Sequence, residues 1–321
     1  MIIKSKDTTS FDYGCIPKNR PIGEYIRKGV INLDKPSGPT SHEVVAWIKK
    51  ILKIEKAGHV GTLDPGVSGV LPILLGDATK ASRALIGEKE YVCLMKLHNE
   101  VPEDSLRKIF NEFTGKIYQR PPLKSAVKRR IRIREIYEIK PIEIQGKDVL
   151  FRVRCEAGTY VRKLCHDIGE ALGVGAHMEQ LRRTKSVPFD ESNLVTLQDV
   201  KDAFVFYEER GDETLLRMVV LPMEYALKHL PKIIVKDSAV DALCHGADLT
   251  LPGVVAFDEK ISHGERVAVF TLKGEAVCMG LAIMSSEEML EENRGICVDT
   301  KRVFMEKNTY PRRWHAGVAE R

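Results

Sequence analysis

Apolar and polar positions alternate with two distinct periods along the chain. Residues 29–33 form a short apolar run that predicts a buried strand. A turn follows at 34–41, where Thr40 and Glu43 have the spacing of a reciprocal helix cap. Val44, Val45, Trp47, Ile48, Ile51 and Leu52 then recur with a helical period. Residues 70–75 predict a strand, 77–85 a short helix, 89–97 a strand, and 102–113 a helix stopped at Gly115. Arg130, Arg132 and Arg134 alternate with Ile131 and Ile133, which predicts a strand with the arginines on one face and the isoleucines on the other. Residues 136–144 and 149–155 predict a hairpin turning at Gly146-Lys147-Asp148. A helix is expected to open after Gly158 and run to about Leu172, and 194–227 reads as helical.

The pattern changes at Pro231. Strand and turn signals dominate beyond it: 232–235, a short helix near 238–244, 251–255, and a hairpin of 265–272 with 275–282 around Lys273-Gly274. Residues 1–28 are turn-rich and lack a period, and 306–321 read as a mobile tail.

Between the first helix and the 70–75 strand lies Lys56-Ala57-Gly58-His59-Val60-Gly61-Thr62-Leu63-Asp64-Pro65-Gly66-Val67-Ser68-Gly69. Its glycines exclude a stable helix or a central strand. Asp64 is its one acid, and Pro65 biases it toward an extended backbone. One carboxylate on a rigid loop suits covalent or acid–base chemistry. A surface turn whose aspartate bonds its own backbone is the plainer alternative.

Composition narrows the class. The chain has 321 residues, 43% hydrophobic and 30% charged, as in ordinary globular proteins of two or three domains. The formal charge of +5 alone is weak support for a polyanionic partner. Seven scattered cysteines contain no C-x-x-C pair, so neither a zinc site nor a disulfide framework is expected. No apolar run approaches bilayer length and no signal-peptide core precedes the first strand, which reads as a cytoplasmic protein without a membrane partner.

Gly58-His59-Val60-Gly61-Thr62-Leu63-Asp64-Pro65 resembles the catalytic loop of the tRNA pseudouridine synthase B family, which includes dyskerin and its archaeal counterpart. Lys35-Pro36-Ser37-Gly38, Gly158-Thr159-Tyr160-Val161-Arg162 and Leu181-Arg182-Arg183-Thr184-Lys185-Ser186 resemble three further motifs of that family, in order. The short link after the 89–97 strand matches its archaeal and eukaryotic branch. Haloacid-dehalogenase phosphatases also carry Gly-Thr-Leu, but there the nucleophilic aspartate precedes the pair; here Asp64 follows it.

The resemblance implies an isomerase that converts uridine to pseudouridine, a reaction without redox that needs no cofactor and no metal. It implies an α+β fold, a mixed and mainly antiparallel sheet with helices, plus a C-terminal PUA β-barrel. The implied division is an N-terminal extension (1–28) packing on the PUA domain, a catalytic domain (29–230) with a thumb loop at about 118–134, a PUA domain (231–305) and a tail (306–321). Asp64 is the implied catalytic carboxylate, Arg162 its ion-pair partner and Tyr91 the stacking platform. A buried carboxylate resists ionisation, and an adjacent arginine restores it. His59, Lys35 and Leu181, with Arg130, Arg132 and Arg134 as a phosphate ridge, are implied contacts to substrate. The implied partners are tRNA, rRNA, a box H/ACA guide RNA, a small zinc-ribbon-like protein, a glycine/arginine-associated protein and a kink-turn-binding ribosomal protein. A non-enzymatic RNA-binding scaffold with a dead catalytic domain is the rival class, and retention of Asp64, Tyr91 and Arg162 together argues against it.

Overall fold

A computed structural model describes residues 1–120 and 130–312. Its larger sheet has ten strands. Their order along the main path is Leu221–Pro222, Gly29–Lys35, Ser68–Leu75, Ala176–Ser186, Lys89–Leu97, Asp148–Cys155, Arg132–Gln145 and Gly115–Gln119. Short strands Ala57–His59 and Phe189–Asp190 pair at its margin with Ser68–Leu75 and Ala176–Ser186. Neighbours are antiparallel except Ser68–Leu75 and Ala176–Ser186, which run parallel where Ser68 faces Arg182 and Gly69 faces Arg183.

The helix Ser41–Leu52 starts on the expected reciprocal cap between Thr40 and Glu43 and ends at Lys53 in the left-handed region. Its buried stripe, Val44, Val45, Ile48 and Leu52, packs into a core with Leu33, Leu71, Cys93, Phe151 and the helix Val161–Ala171. That burial fixes both helices against the sheet.

The second sheet has seven strands: Ile2–Ile3, Val254–Phe257, Lys232–Val235, Arg266–Thr271, Ala276–Ala282, Ile296–Val303 and Leu249–Thr250. It has its own core around Val269, Phe257, Val277 and Cys297. A third cluster contains residues of both sheets, among them Val70, Phe189, Phe270 and Met279, so the two units share an apolar joint. The N-terminal segment reaches the second sheet, with Ile2 opposite Phe257 and Ile3 opposite Ala256.

Four local expectations change. Residues 194–227 are not one helix: Leu197–Arg210 ends at Gly211, a second helix spans Thr214–Val219, and Leu221–Pro222 becomes a strand. Gly211 adopts φ 70°, where glycine has no penalty, and proline at 222 lacks the amide a continuing helix needs. The 76–85 segment is a 3-10 helix, and buried Ala78, Ala81 and Ala84 follow its three-residue period. Residues 306–312 are no loose tail: the Tyr310 hydroxyl donates to the Glu275 carboxylate at 2.7 Å, and Arg312 pairs with Asp241 at 3.2 Å. The arginine strand keeps its expected alternation, but the face expected as a phosphate ridge is the half-buried one: Ile131 and Ile133 are exposed, while Arg132 and Arg134 lie on the half-buried side. Arg134 there meets Glu156 at 3.4 Å, an acid one strand away that the alternation does not reveal.

Among the described residues no helix is long and apolar enough to cross a membrane. All seven cysteines are free thiols, six of them buried.

Candidate active site

The glycine-rich loop emerges between the strands Ala57–His59 and Ser68–Leu75. Leu63 and Val67 turn inward and are buried, which pins the loop on either side of Asp64. Backbone bonds finish the turn: Val67 N–H donates to Asp64 at 3.0 Å, and Gly38 N–H donates to Pro65 at 2.8 Å. Buried Ser41, at the first turn of its helix, accepts from Leu63 N–H at 3.0 Å and donates to the Leu63 carbonyl at 2.9 Å.

Lys35 holds the loop from below. Its ammonium donates to the carbonyls of Pro36 at 2.9 Å, Pro65 at 3.1 Å and Val67 at 2.8 Å. The side chain is 0% exposed, so the expectation of a substrate contact at Lys35 is corrected. Burial holds its pKa below the ordinary lysine value, with Asp64 opposing. Lys35-Pro36-Ser37-Gly38 is thus a brace for the loop that presents Asp64.

Asp64 projects from the braced loop toward Arg162, near the start of the helix Val161–Ala171, and Oδ2 accepts from Nη2 at 2.5 Å. The two side chains are 54% and 56% exposed. The premise of a buried carboxylate therefore does not hold for the free protein. Arg162 meets the aspartate as a charge-assisted, solvent-exposed pair.

Tyr91 lies on the strand Lys89–Leu97, opposite Arg183 on one side and Val153 on the other. Burial pushes its phenol up, and the Arg183 guanidinium works against that rise. Leu181 is half-buried on the same neighbouring strand, facing Cys93. His59 sits at the edge of the loop with its ring 4.9 Å from that of His42. Burial, His42 and Arg183 all hold the His59 imidazole below its usual pKa, and its buried Nδ1 has no hydrogen-bond partner among the described residues. Asp64, Arg162 and the loop are brought together directly. Arg132 and Arg134 belong to the other end of the sheet order, Arg130 lies just before that strand, and 121–129 are outside the described residues.

The motif containing Leu181 holds two arginines with different fates. Arg182 makes a bidentate pair with Asp34 at 3.0 and 3.1 Å and a second contact to Glu191 at 2.7 Å. Arg183 is 1% exposed and donates from Nε to the Val70 carbonyl at 2.7 Å. Lys89 is also buried, donating to Leu85 at 3.1 Å and Ser186 at 2.8 Å, and burial lowers its pKa to about 7. Neither residue was marked by composition or period. The one signal for Arg183 is its place in the Leu181–Ser186 motif, which does not say which of two adjacent arginines turns inward.

Family models match in order along the chain: a DKCLD (NUC011) domain at 1–45, the N-terminal domain of TruB family pseudouridylate synthase at 49–161, the tRNA pseudouridylate synthase B C-terminal domain at 162–228, and a PUA domain at 231–304. A probable tRNA pseudouridine synthase B of Methanopyrus kandleri is 61% identical over 98% of this chain and 93% of its own. That of Methanocaldococcus jannaschii is 57% identical over 98% and 94%. Among solved structures, Cbf5 in an archaeal box H/ACA sRNP Nop10-Cbf5 complex superposes with TM-score 0.89 at 53% identity, covering 98% of both chains. A Cbf5-Nop10-Gar1 complex gives TM-score 0.90 at 56% identity, covering 97% and 95%. Fold and sequence together define a pseudouridine synthase, an isomerase with a mixed catalytic sheet and a PUA unit. Within that class, the chain belongs to the tRNA pseudouridine synthase B family, beside the archaeal Cbf5 proteins.

Proposed function

We propose that Asp64 is the catalytic carboxylate of this isomerase, that Arg162 orients it, and that Tyr91 and Leu181 form the walls receiving the uracil. The observation that carries this reading is the 2.5 Å Asp64–Arg162 pair on a loop braced by Lys35. The uracil must leave C1′ through N1, turn, and return through C5. Both available routes, attack on C1′ or removal of the C2′ proton, require an ionised carboxylate at the sugar. A flipped nucleotide covers the exposed pair and excludes water from it. His59 orders the loop edge.

The substrates we assign are rRNA directed by a box H/ACA guide RNA and the T-loop uridine of tRNA. A solved H/ACA RNP bound to a substrate RNA containing 2′-deoxyuridine holds a chain 53% identical to this one, and the curated relatives are named for tRNA. In the solved complexes Cbf5 is assembled with Nop10 and Gar1, and we assign the same protein partners here. We take these to be the zinc-ribbon-like and glycine/arginine-associated partners, and add a kink-turn-binding ribosomal protein. We place the enzyme in the cytoplasm. We divide it into an N-terminal segment (1–28), a catalytic domain (29–230) and an RNA-binding unit from 231 to at least 312. The thumb region, about 118–134, with Arg130 foremost, is assigned to RNA. Asp64→Asn keeps the side-chain shape and removes the charge, so it abolishes pseudouridine formation while RNA affinity stays within about threefold. Near-normal turnover by D64N removes Asp64 from the mechanism.

A further inference from the structure

Three cations are buried around the Asp64 loop, and among the described residues none is paired with an acid: Lys35, Lys89 and Arg183. Lys35 is accounted for by three carbonyls. Arg183 is not. Its Nε is bonded to Val70, at the start of the strand leaving the loop, but Nη2 is a buried donor with no acceptor among the described residues. A buried donor left open is costly and calls for a reason.

The surroundings show what this guanidinium touches. Arg183 is the register partner of Tyr91 across two antiparallel strands, and its head group faces the Tyr91 hydroxyl. It is also the register partner of Gly69 at the parallel junction, where a Cβ at position 69 would lie 2.2 Å from the Arg183 carbonyl oxygen. Nη1 lies 3.0 Å from where a Cβ of Gly61 would stand. So this one residue packs its backbone on Gly69 at the far end of the Asp64 loop, and sets its guanidinium against Gly61, the Val70 carbonyl and the tyrosine of the uracil pocket.

We propose that Arg183 is a positioning residue for the isomerisation, fixing the Tyr91 hydroxyl and the Asp64 loop relative to one another through a single locked guanidinium. This rests on the roles read above for Asp64 and Tyr91. Planarity matters here. A guanidinium has five donors in a fixed fork, so it spans Val70, the loop and the phenol at once. A lysine keeps the charge but reaches only one of them.

The charge has its own consequence. The groups facing Tyr91 are Arg183, Cys155 and Asp64, and of these only Arg183 pulls the phenol down. Removing its charge therefore moves the phenol titration to higher pH. Lys89, whose neighbours are Arg183 and Cys155, moves up as well.

The test compares full-length wild type, Arg183→Lys, Arg183→Met and Tyr91→Phe, singly and combined, on a T-arm stem-loop RNA. R183K is expected to fold and to bind RNA within threefold of wild type, yet to slow single-turnover pseudouridine formation about 10- to 100-fold. The Y91F/R183K double variant is expected to be no slower than the slower single. Wild-type speed in R183K, or losses that multiply in the double variant, overturns the proposal and leaves Arg183 a purely structural residue. The Tyr91 phenol is titrated separately by absorbance difference against Y91F, with R183M expected to shift it upward; an unmoved titration in folded R183M also overturns the proposal. That measurement needs no turnover. A wild type that forms no pseudouridine sinks the reading of the site, while the titration still decides the Arg183–Tyr91 coupling.

Discussion

The ammonium of Lys35 lies 2.8 Å from the carbonyl oxygen of Val67, fully enclosed beneath the loop that carries Asp64. It joins the end of one strand to the far side of a loop thirty-two residues later in sequence. Lys35→Met fills the space and leaves three carbonyls without their donor. The expected loss is about 3 kcal/mol of folding stability, from buried acceptors left open. Turnover should fall as the loop loosens. Urea unfolding checks this, and an unchanged midpoint would show that water replaces the ammonium without cost.

Arg162 and Asp64 present the opposite case. Both are more than half exposed, so the pair itself adds less than about 1 kcal/mol to folding. Arg162→Met is expected to melt with wild type, while single-turnover formation of pseudouridine drops by about 100-fold because the carboxylate loses its orientation. A parallel fall in melting temperature and activity would mean that Arg162 holds the structure rather than the aspartate.

Lys89 makes stability depend on pH. Its folded pKa is about 7, below that of an unfolded lysine near 10.4. Below pH 7 both states hold the proton and the burial cost is constant. Between about 7 and 10 the unfolded chain binds more protons, so stability rises with pH, by at most about 1.4 kcal/mol per unit. Lys89→Met should abolish that rise and be the more stable form near pH 6.5. Urea midpoints across this range decide it; the same slope in both proteins would clear Lys89.

Arg20 is a joint between the two units. Its guanidinium forks onto Glu224 at 2.7 and 3.0 Å, and Glu224 also accepts the Ala276 amide of the second sheet at 3.1 Å. Arg20 is nearly inaccessible, so Arg20→Met strands a half-buried carboxylate. The expected loss is about 3 kcal/mol. Calorimetry should show the heat absorption moving down and the second unit melting apart from the first. A single unshifted transition would deny Arg20 that part.

The three thumb-region arginines separate in the same way. Arg130 is exposed, whereas Arg134 is committed to Glu156. Arg130→Gln should lower the salt slope of RNA binding by about 0.7, one phosphate contact. Arg134→Gln should leave the slope nearly unchanged. Titrations at several salt concentrations measure both, and equal slopes for wild type and R130Q would release Arg130 from RNA.

Much of this was legible in the chain. Thr40 and Glu43 announced their helix because capping is local chemistry three residues long. Asp64 and Arg162 were legible because their motifs are distinctive, although they lie ninety-eight residues apart. What escaped was set by distant partners. The motif around Lys35 marks its place beside the loop, but not that its ammonium is spent on three loop carbonyls instead of substrate. The Ile/Arg alternation gives two faces but not which one is half-buried, and Arg134 is taken by Glu156, just past the neighbouring strand. Lys89 and Arg183 are charged residues in strands, and no period distinguishes a charge facing water from one facing a core.

The first strand, Ile2–Ile3, pairs with Val254–Phe257. A ribosome making this protein must therefore release its opening residues some 250 positions before their partner strand exists. The catalytic sheet takes strands from residue 29 to residue 222 and can assemble meanwhile, with the N-terminal segment still waiting. These opening residues are thus among the last parts to settle, and they settle by adding an edge strand to the second sheet.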